Sequence, residues 1–214
     1  MIRIIKSREP KCLTKLKEDE NNCYDNLQDK CLTITRQLLF KDQKGLCAYC
    51  QSVFKFTVYI EHFIAQSVDD SKELDYSNFL GVCSGKYYLD KKTGKHIEYC
   101  SRSRGNKELF INPELNSCIS TIYYDEKNKI RSNNRQYDSD INVILNLNFK
   151  EICDDRNKAF NNLIKSIFDL GLNLNLTKLD IYRKAIISLN NKPIEFVGFL
   201  VYKLQKLIDF HLSN

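Results

Sequence analysis

Apolar positions along the chain repeat with two different periods, and one central stretch keeps neither. Near the start, Ile2, Ile4 and Ile5 are spaced for a short strand or an anchoring segment. Leu27, Cys31, Ile34 and Leu38 then recur at intervals of four, three and four. That spacing is one face of a helix of about five turns, stopping near Gly45. The last third keeps the helical period. Leu145, Phe149, Ile152, Phe160, Leu163 and Ile167 mark one amphipathic face that extends to Gly171. Thr177 with Asp180 is a helix-start signal for the run Leu179, Ile181, Tyr182, Ala185 and Ile186. Pro193 marks the start of a final helix, whose apolar face runs from Phe196 to Leu212. Residues 119 to 131, ISTIYYDEKNKIR, read instead as a hairpin: β-branched and aromatic residues, a polar turn, then Ile130.

Residues 46 to 116 break the helical period and are rich in Cys, Gly, Tyr and charge, as a small metal-centred module would be. The pattern predicts an α+β chain in three segments. Residues 1–45 form an N-terminal segment and helix, a candidate for partner docking. Residues 46–116 form the compact module, and residues 117–214 form a hairpin followed by helices.

Composition narrows the classes. At 214 residues with 43% hydrophobic side chains, the chain can bury a core and is not a disordered polymer. The opening MIRIIKSREPK turns charged too early for a secretory leader, and nowhere do eighteen apolar residues run together. A cytoplasmic protein with no membrane span is the expectation. The formal charge of +6 is mildly basic. Between Ser84 and Lys107, however, seven basic residues (Lys86, Lys91, Lys92, Lys95, Arg102, Arg104, Lys107) stand against Asp90 and Glu98. Such a surface tracks phosphates or is a plain solvated loop.

Nine cysteines in a chain without an export signal favour metal ligation over disulfides. Cys47 and Cys50 form C-x2-C, a spacing that puts two thiolates on one side of a tight turn. Cys83 and Cys100, sixteen residues apart, supply a second pair, with the polar insert SGKYYLDKKTGKHIEY looping out between them. Four sulfurs make a structural Zn²⁺ site with no open position; the plainer reading is a set of buried thiols, and His96 is the alternative fourth ligand in place of Cys100. Cys23, Cys31, Cys118 and Cys153 are expected as small buried hydrophobes, and Cys12 has no assigned role.

Eleven residues past the first knuckle, Glu61 and His62 end the strand-like run Val58-Tyr59-Ile60, so their side chains alternate across it. Alone, such a histidine is usually structural. The order of motifs changes the weighting: "GLCAYC", "IEHF", "YSNFLGVC", "GNKELFINP", "IYYD" and "LNLN". Together they resemble the HNH endonucleases of the ββα-metal fold, and more narrowly the HNH nuclease subunits of bacterial anti-phage systems, the Septu and retron-associated group. The match spans residues 45 to 149.

The resemblance implies phosphodiester hydrolysis of nucleic acid, DNA by default and RNA as the other candidate. His62 would be the general base, and Asn78 would brace the loop and orient it. Glu61 would help hold Mg²⁺ or Mn²⁺, with Asn106, or a water on Ser101, completing the site. Arg102, Arg104 and Lys107 would meet phosphates. It also implies an ABC/SMC-like ATPase partner and, in retron systems, a reverse transcriptase with its RNA–DNA product; the N-terminal segment and C-terminal helices are the candidate docking surfaces. The chain departs from the family at Ser101 and Arg104, where relatives carry an acidic residue and a lysine. Two other classes therefore stand beside the nuclease: a zinc-stapled nucleic-acid-binding adaptor without strong catalysis, and a helical docking scaffold. The plainer readings of the same residues are a turn asparagine for Asn78, an exposed strand carboxylate for Glu61 and a solvated face for the basic residues.

Overall fold

Among the described residues eight α-helices and six strands come in runs, and the strands pair into three small hairpins. The computed structural model of the chain describes residues 1–55, 57–89, 92–173, 176–190 and 193–213. The helices are α1 (Lys11–Leu16), α2 (Asp29–Asp42), α3 (Cys100–Arg104), α4 (Asn116–Ile119), α5 (Arg135–Ser139), α6 (Lys150–Asn173), α7 (Lys178–Leu189) and α8 (Val197–Ser213). The strands are β1 (Tyr59–His62), β2 (Phe79–Val82), β3 (Lys86–Tyr88), β4 (His96–Glu98), β5 (Ile122–Tyr124) and β6 (Ile130–Ser132). They pair as three antiparallel two-stranded sheets, β1–β2, β3–β4 and β5–β6.

Most elements answer to local signals. Thr177 caps α7 by accepting the Asp180 amide at 3.2 Å. The hairpin read from ISTIYYDEKNKIR is β5–β6, with Tyr124 opposite Ile130. Helix α2 is shorter than its periodicity suggests: Leu27 precedes it, and Thr35 and Leu39 are its most buried positions. It ends where Lys44 and Gly45 take φ of 54° and 73°, a left-handed turn that no helix continues through. Helix α8 begins at Val197, four residues after the expected Pro193, behind Phe196 at φ 58°. The N-terminal isoleucines form no strand among the described residues. They are an anchor: Ile4 donates to the Pro113 carbonyl at 2.9 Å, and Met1 and Ile4 are buried.

Strand β2 is covered on both faces, and this places the site. Phe79 points into a small cluster with Leu13, Leu27, Leu39 and Val58, under α1 and α2. Leu80 and Val82 point the other way, into the main core. That core draws on all three sequence segments: Met1 and Ile4, then Leu46, Cys100 and Ile111, then Phe199 and Leu204. Gln43 locks the junction. Its buried amide accepts the Gly81 N–H at 2.7 Å and donates to the Gly81 and Leu46 carbonyls. A Cβ at Gly81 would stand 2.8 Å from Val58, so the close approach needs glycine there.

One expectation about cysteines changes. Cys12 and Cys31 are joined in a disulfide that ties α1 to α2. Cys31 is therefore not a free buried thiol, and the sequence argument against disulfides fails at this pair. The insert between Cys83 and Cys100 contains the β3–β4 hairpin; Asp90 and Lys91 lie outside the described residues. No described helix is long and apolar enough to cross a membrane.

Candidate metal centre and the adjoining cleft

Cys47, Cys50, Cys83 and Cys100 meet in the core, with all four sulfurs within 4.8 Å of one another. The Cys47 and Cys100 sulfurs are 3.3 Å apart, and those of Cys50 and Cys83 are 3.7 Å apart. A tetrahedral ion with metal–sulfur bonds of about 2.3 Å sets its sulfurs about 3.8 Å apart, so the four residues fit a structural metal such as zinc. His96 is no part of it; it sits on β4 near Glu98.

The backbone builds this geometry. Ala48, inside the knuckle, donates to the Gly81 carbonyl at 3.0 Å and so hangs the first pair on β2. Gln51 turns the chain at φ 63°, and the Cys83 amide points at the Cys47 sulfur at 3.4 Å. The β3–β4 hairpin closes the sixteen-residue gap and returns the chain beside Cys83. Cys100 then adopts φ 60° with its amide on the Leu145 carbonyl. Burial pushes the Cys47 and Cys100 thiols up, while hydrogen bonds from Cys100, Cys47 and Cys50 push Cys83 down. Four buried sulfurs cannot all ionise together unless a cation shares the space.

Helix α3 runs from this cluster to β1 and delivers Arg104, whose side chain is 1% exposed. Its guanidinium meets the Glu61 carboxylate at 2.5 Å and donates to the carbonyls of His62 (2.9 Å), Phe63 (2.6 Å) and Lys107 (2.8 Å). Arg104 is thus an internal brace and not the phosphate contact expected of it. Burial raises the Glu61 pKa, and the Arg104 charge works against that rise. Glu61 is correspondingly not the exposed strand carboxylate of the plainer reading.

His62 sits at the end of β1 opposite Phe79, with the Tyr24 and Phe79 rings edge-on at 4.6 and 5.1 Å. Its Nε2 lies 2.9 Å from the Glu73 carbonyl, which can only accept. Nε2 therefore carries the proton, and Nδ1 is left as a lone-pair acceptor. Burial lowers the His62 pKa, with the Glu73 contacts opposing, so the ring is a neutral base down to lower pH than a solvated histidine.

Asn78 does brace the loop between β1 and β2, but it does not touch His62. Its Oδ1 accepts the Ile64 amide at 2.7 Å, and its Nδ2 donates to the carbonyls of Ile64 and Lys72. The residue that orients the imidazole is Glu73, through its backbone. Asn78→Ala is expected to remove about 1–3 kcal/mol of stability, because buried backbone groups lose their partners. Hydrogen exchange at the Ile64 amide checks this: accelerated exchange is expected, and unchanged protection would show that the loop stands without Asn78.

Glu61, His62 and Asn106 line one open polar cleft of about 330 Å³, with Gln66, Ser67 and Gly105. Among the residues lining it, Glu61 is the only carboxylate. Ser101 is not among the residues lining the cleft, and its carbonyl accepts the Gly105 amide at 3.0 Å. Arg102 and Lys107 are exposed, Arg102 paired with Glu98 at 2.7 Å. The remaining motifs are structural. Asn148 of LNLN holds both backbone groups of Ile130, and Asn112 of INP accepts the Glu114 amide. Gln43, Glu73 and the bracing role of Arg104 were missed from sequence; the left-handed Lys44-Gly45 turn is the only local hint of the first. No protein-family model and no curated protein sequence matches the chain.

Proposed function

We propose that the chain is a phosphodiester hydrolase of the HNH kind, acting on nucleic acid, with DNA as the first substrate. The observation that supports it most is the convergence of Glu61, His62 and Asn106 on one cleft, with the histidine held as a neutral base. In this reading Nδ1 of His62 takes a proton from a water aimed at phosphorus, and the Glu73 carbonyl keeps the ring in the tautomer that can do so. Glu61 and Asn106, among the side-chain oxygens lining the cleft, would hold Mg²⁺ or Mn²⁺, and such an ion would offset the charge gathering on the phosphate. Arg104 already engages one oxygen of that carboxylate, so Glu61 would have its other oxygen to offer such an ion. Lys107, exposed and next to Asn106, is the nearest free cation in sequence for a flanking phosphate. By the same resemblance the hydrolase serves as the effector subunit of an anti-phage complex with an ABC/SMC-like ATPase.

The test is cleavage of plasmid DNA by the purified chain, alone and with the ATPase, under Mg²⁺ and Mn²⁺. His62→Ala is expected to slow cleavage by roughly 10²–10⁴-fold. Equal rates for parent and variant would remove His62 from the chemistry. One observation favours the second reading, a nucleic-acid-binding adaptor: the cleft's only carboxylate is already neutralised by Arg104. DNA retention without cleavage under either cation would establish that reading instead.

A further inference from the structure

A second cavity, of about 470 Å³, opens against the cysteine cluster. It has the size of a nucleotide site. Buried Tyr99, Ile152 and Phe196 form its depth, and Tyr59 and Tyr88, 48% and 55% exposed, stand at its mouth. Lys55 and Lys86 also line it, as do two carboxylates, Asp155 and Glu195. Asp155 is occupied by the Tyr87 hydroxyl at 2.5 Å and by Lys158 at 3.4 Å. Glu195 makes no hydrogen bond among the described residues. The residue is exposed; the cavity wall desolvates its carboxyl enough to raise the pKa, and the Lys55 charge opposes that rise.

This cavity and the polar cleft share one strand. Tyr59 lies opposite Val82 and Glu61 opposite Leu80, so both side chains are on the cysteine-cluster face of β1. Two residues along a strand span about 7 Å. At the duplex spacing of about 3.4 Å per nucleotide, that is about two nucleotides. A strand lying over Glu61 and His62 therefore reaches Tyr59 within a step or two.

We propose that this cavity receives one unstacked base of the substrate strand, held between tyrosine rings and read by Glu195, and that guanine is its preferred occupant. Exposed aromatic rings beside lysines are a stacking platform for unpaired bases, the lysines meeting the flanking phosphates. A base enters ring-first because the acceptors that line the cavity, the exposed Glu195 carboxylate and the Cys50 and Cys83 sulfurs, repel phosphate. Of the common bases only guanine presents two adjacent donors, a ring N–H and an amine, to match the two oxygens of a carboxylate.

The inference rests on the nuclease reading for its substrate, and the experiment separates the two. GMP and UMP are titrated calorimetrically into the zinc-loaded full chain. GMP is expected to bind about tenfold more tightly than UMP, and Tyr59→Ala or Tyr88→Ala to weaken GMP about tenfold. Glu195→Gln should bring GMP down to the UMP level, while His62→Ala leaves GMP binding unchanged. Both tyrosines are half exposed, so at least one variant keeps its melting temperature and zinc content. Equal affinity for the two nucleotides, absence of GMP binding, or indifference to both tyrosine variants would overturn the pocket. A chain that cuts DNA but ignores GMP keeps its nuclease reading and loses this one; a chain that binds GMP as described and never cuts does the reverse.

Discussion

Cys100→Ser is expected to unfold the chain rather than to weaken it. The cysteine is wholly buried, sits at φ 60°, and contributes one of four sulfurs packed around a common centre. Serine preserves the size but supplies no thiolate, so the ion loses a ligand while three buried sulfurs stay behind. Structural zinc contributes on the order of 10–16 kcal/mol in small peptides, against about 5–15 kcal/mol for the net stability of an ordinary domain. Even a fraction of that loss consumes the margin. Metal analysis with a thermal melt checks it: one zinc per parent chain and a cooperative transition, neither in the variant. Cys118→Ser is the control, because Cys118 is equally buried but lies outside the cluster. If Cys100→Ser melts like that control, the four sulfurs are only packing neighbours.

The second large effect is expected at Arg104. Truncation to alanine strands the Glu61 carboxylate and removes the donor from three carbonyls, those of His62, Phe63 and Lys107. Removing one partner of a buried ion pair destabilises by about 3–5 kcal/mol, because the other charge stays buried. Arg104→Lys should recover little, since a single ammonium cannot serve acceptors spread around a planar guanidinium. Urea unfolding gives the magnitudes. Glu61→Gln combined with Arg104→Met should be less damaging than Arg104→Ala alone, as the stranded charge is gone. A loss below about 0.5 kcal/mol for Arg104→Ala, the range of an ordinary surface change, would refute the brace.

What the sequence made legible was local. The Thr177–Asp180 start of α7, the β5–β6 hairpin and the C-x2-C turn each depend on residues a few positions apart, and each stands near where its pattern put it. The second cysteine pair was legible because a tetrahedral site needs two more ligands beside C-x2-C, and Cys83 and Cys100 supply them. What escaped was pairing at a distance. Nothing near Cys12 names Cys31 as its partner, and nine cysteines allow many pairings. Arg104 stood among solvated basic residues and read as one of them, because its acceptors lie some forty positions back in β1 and the turn after it. Asn78 and His62 were read as direct partners, yet a backbone carbonyl, which no side-chain pattern reports, does the orienting.

One contact joins the two ends of this architecture. Gln51, a single residue past the first cysteine pair, offers its carbonyl to the Phe196 amide and its side-chain oxygen to the Gly198 amide, where α8 begins. The metal knuckle is therefore also the cap of the last helix. An ion held by the four cysteines would share that support with the C-terminal helices, and the segment that carries the candidate chemistry is no cassette: lifted out alone, it would leave behind the wall on which its cysteine cluster leans.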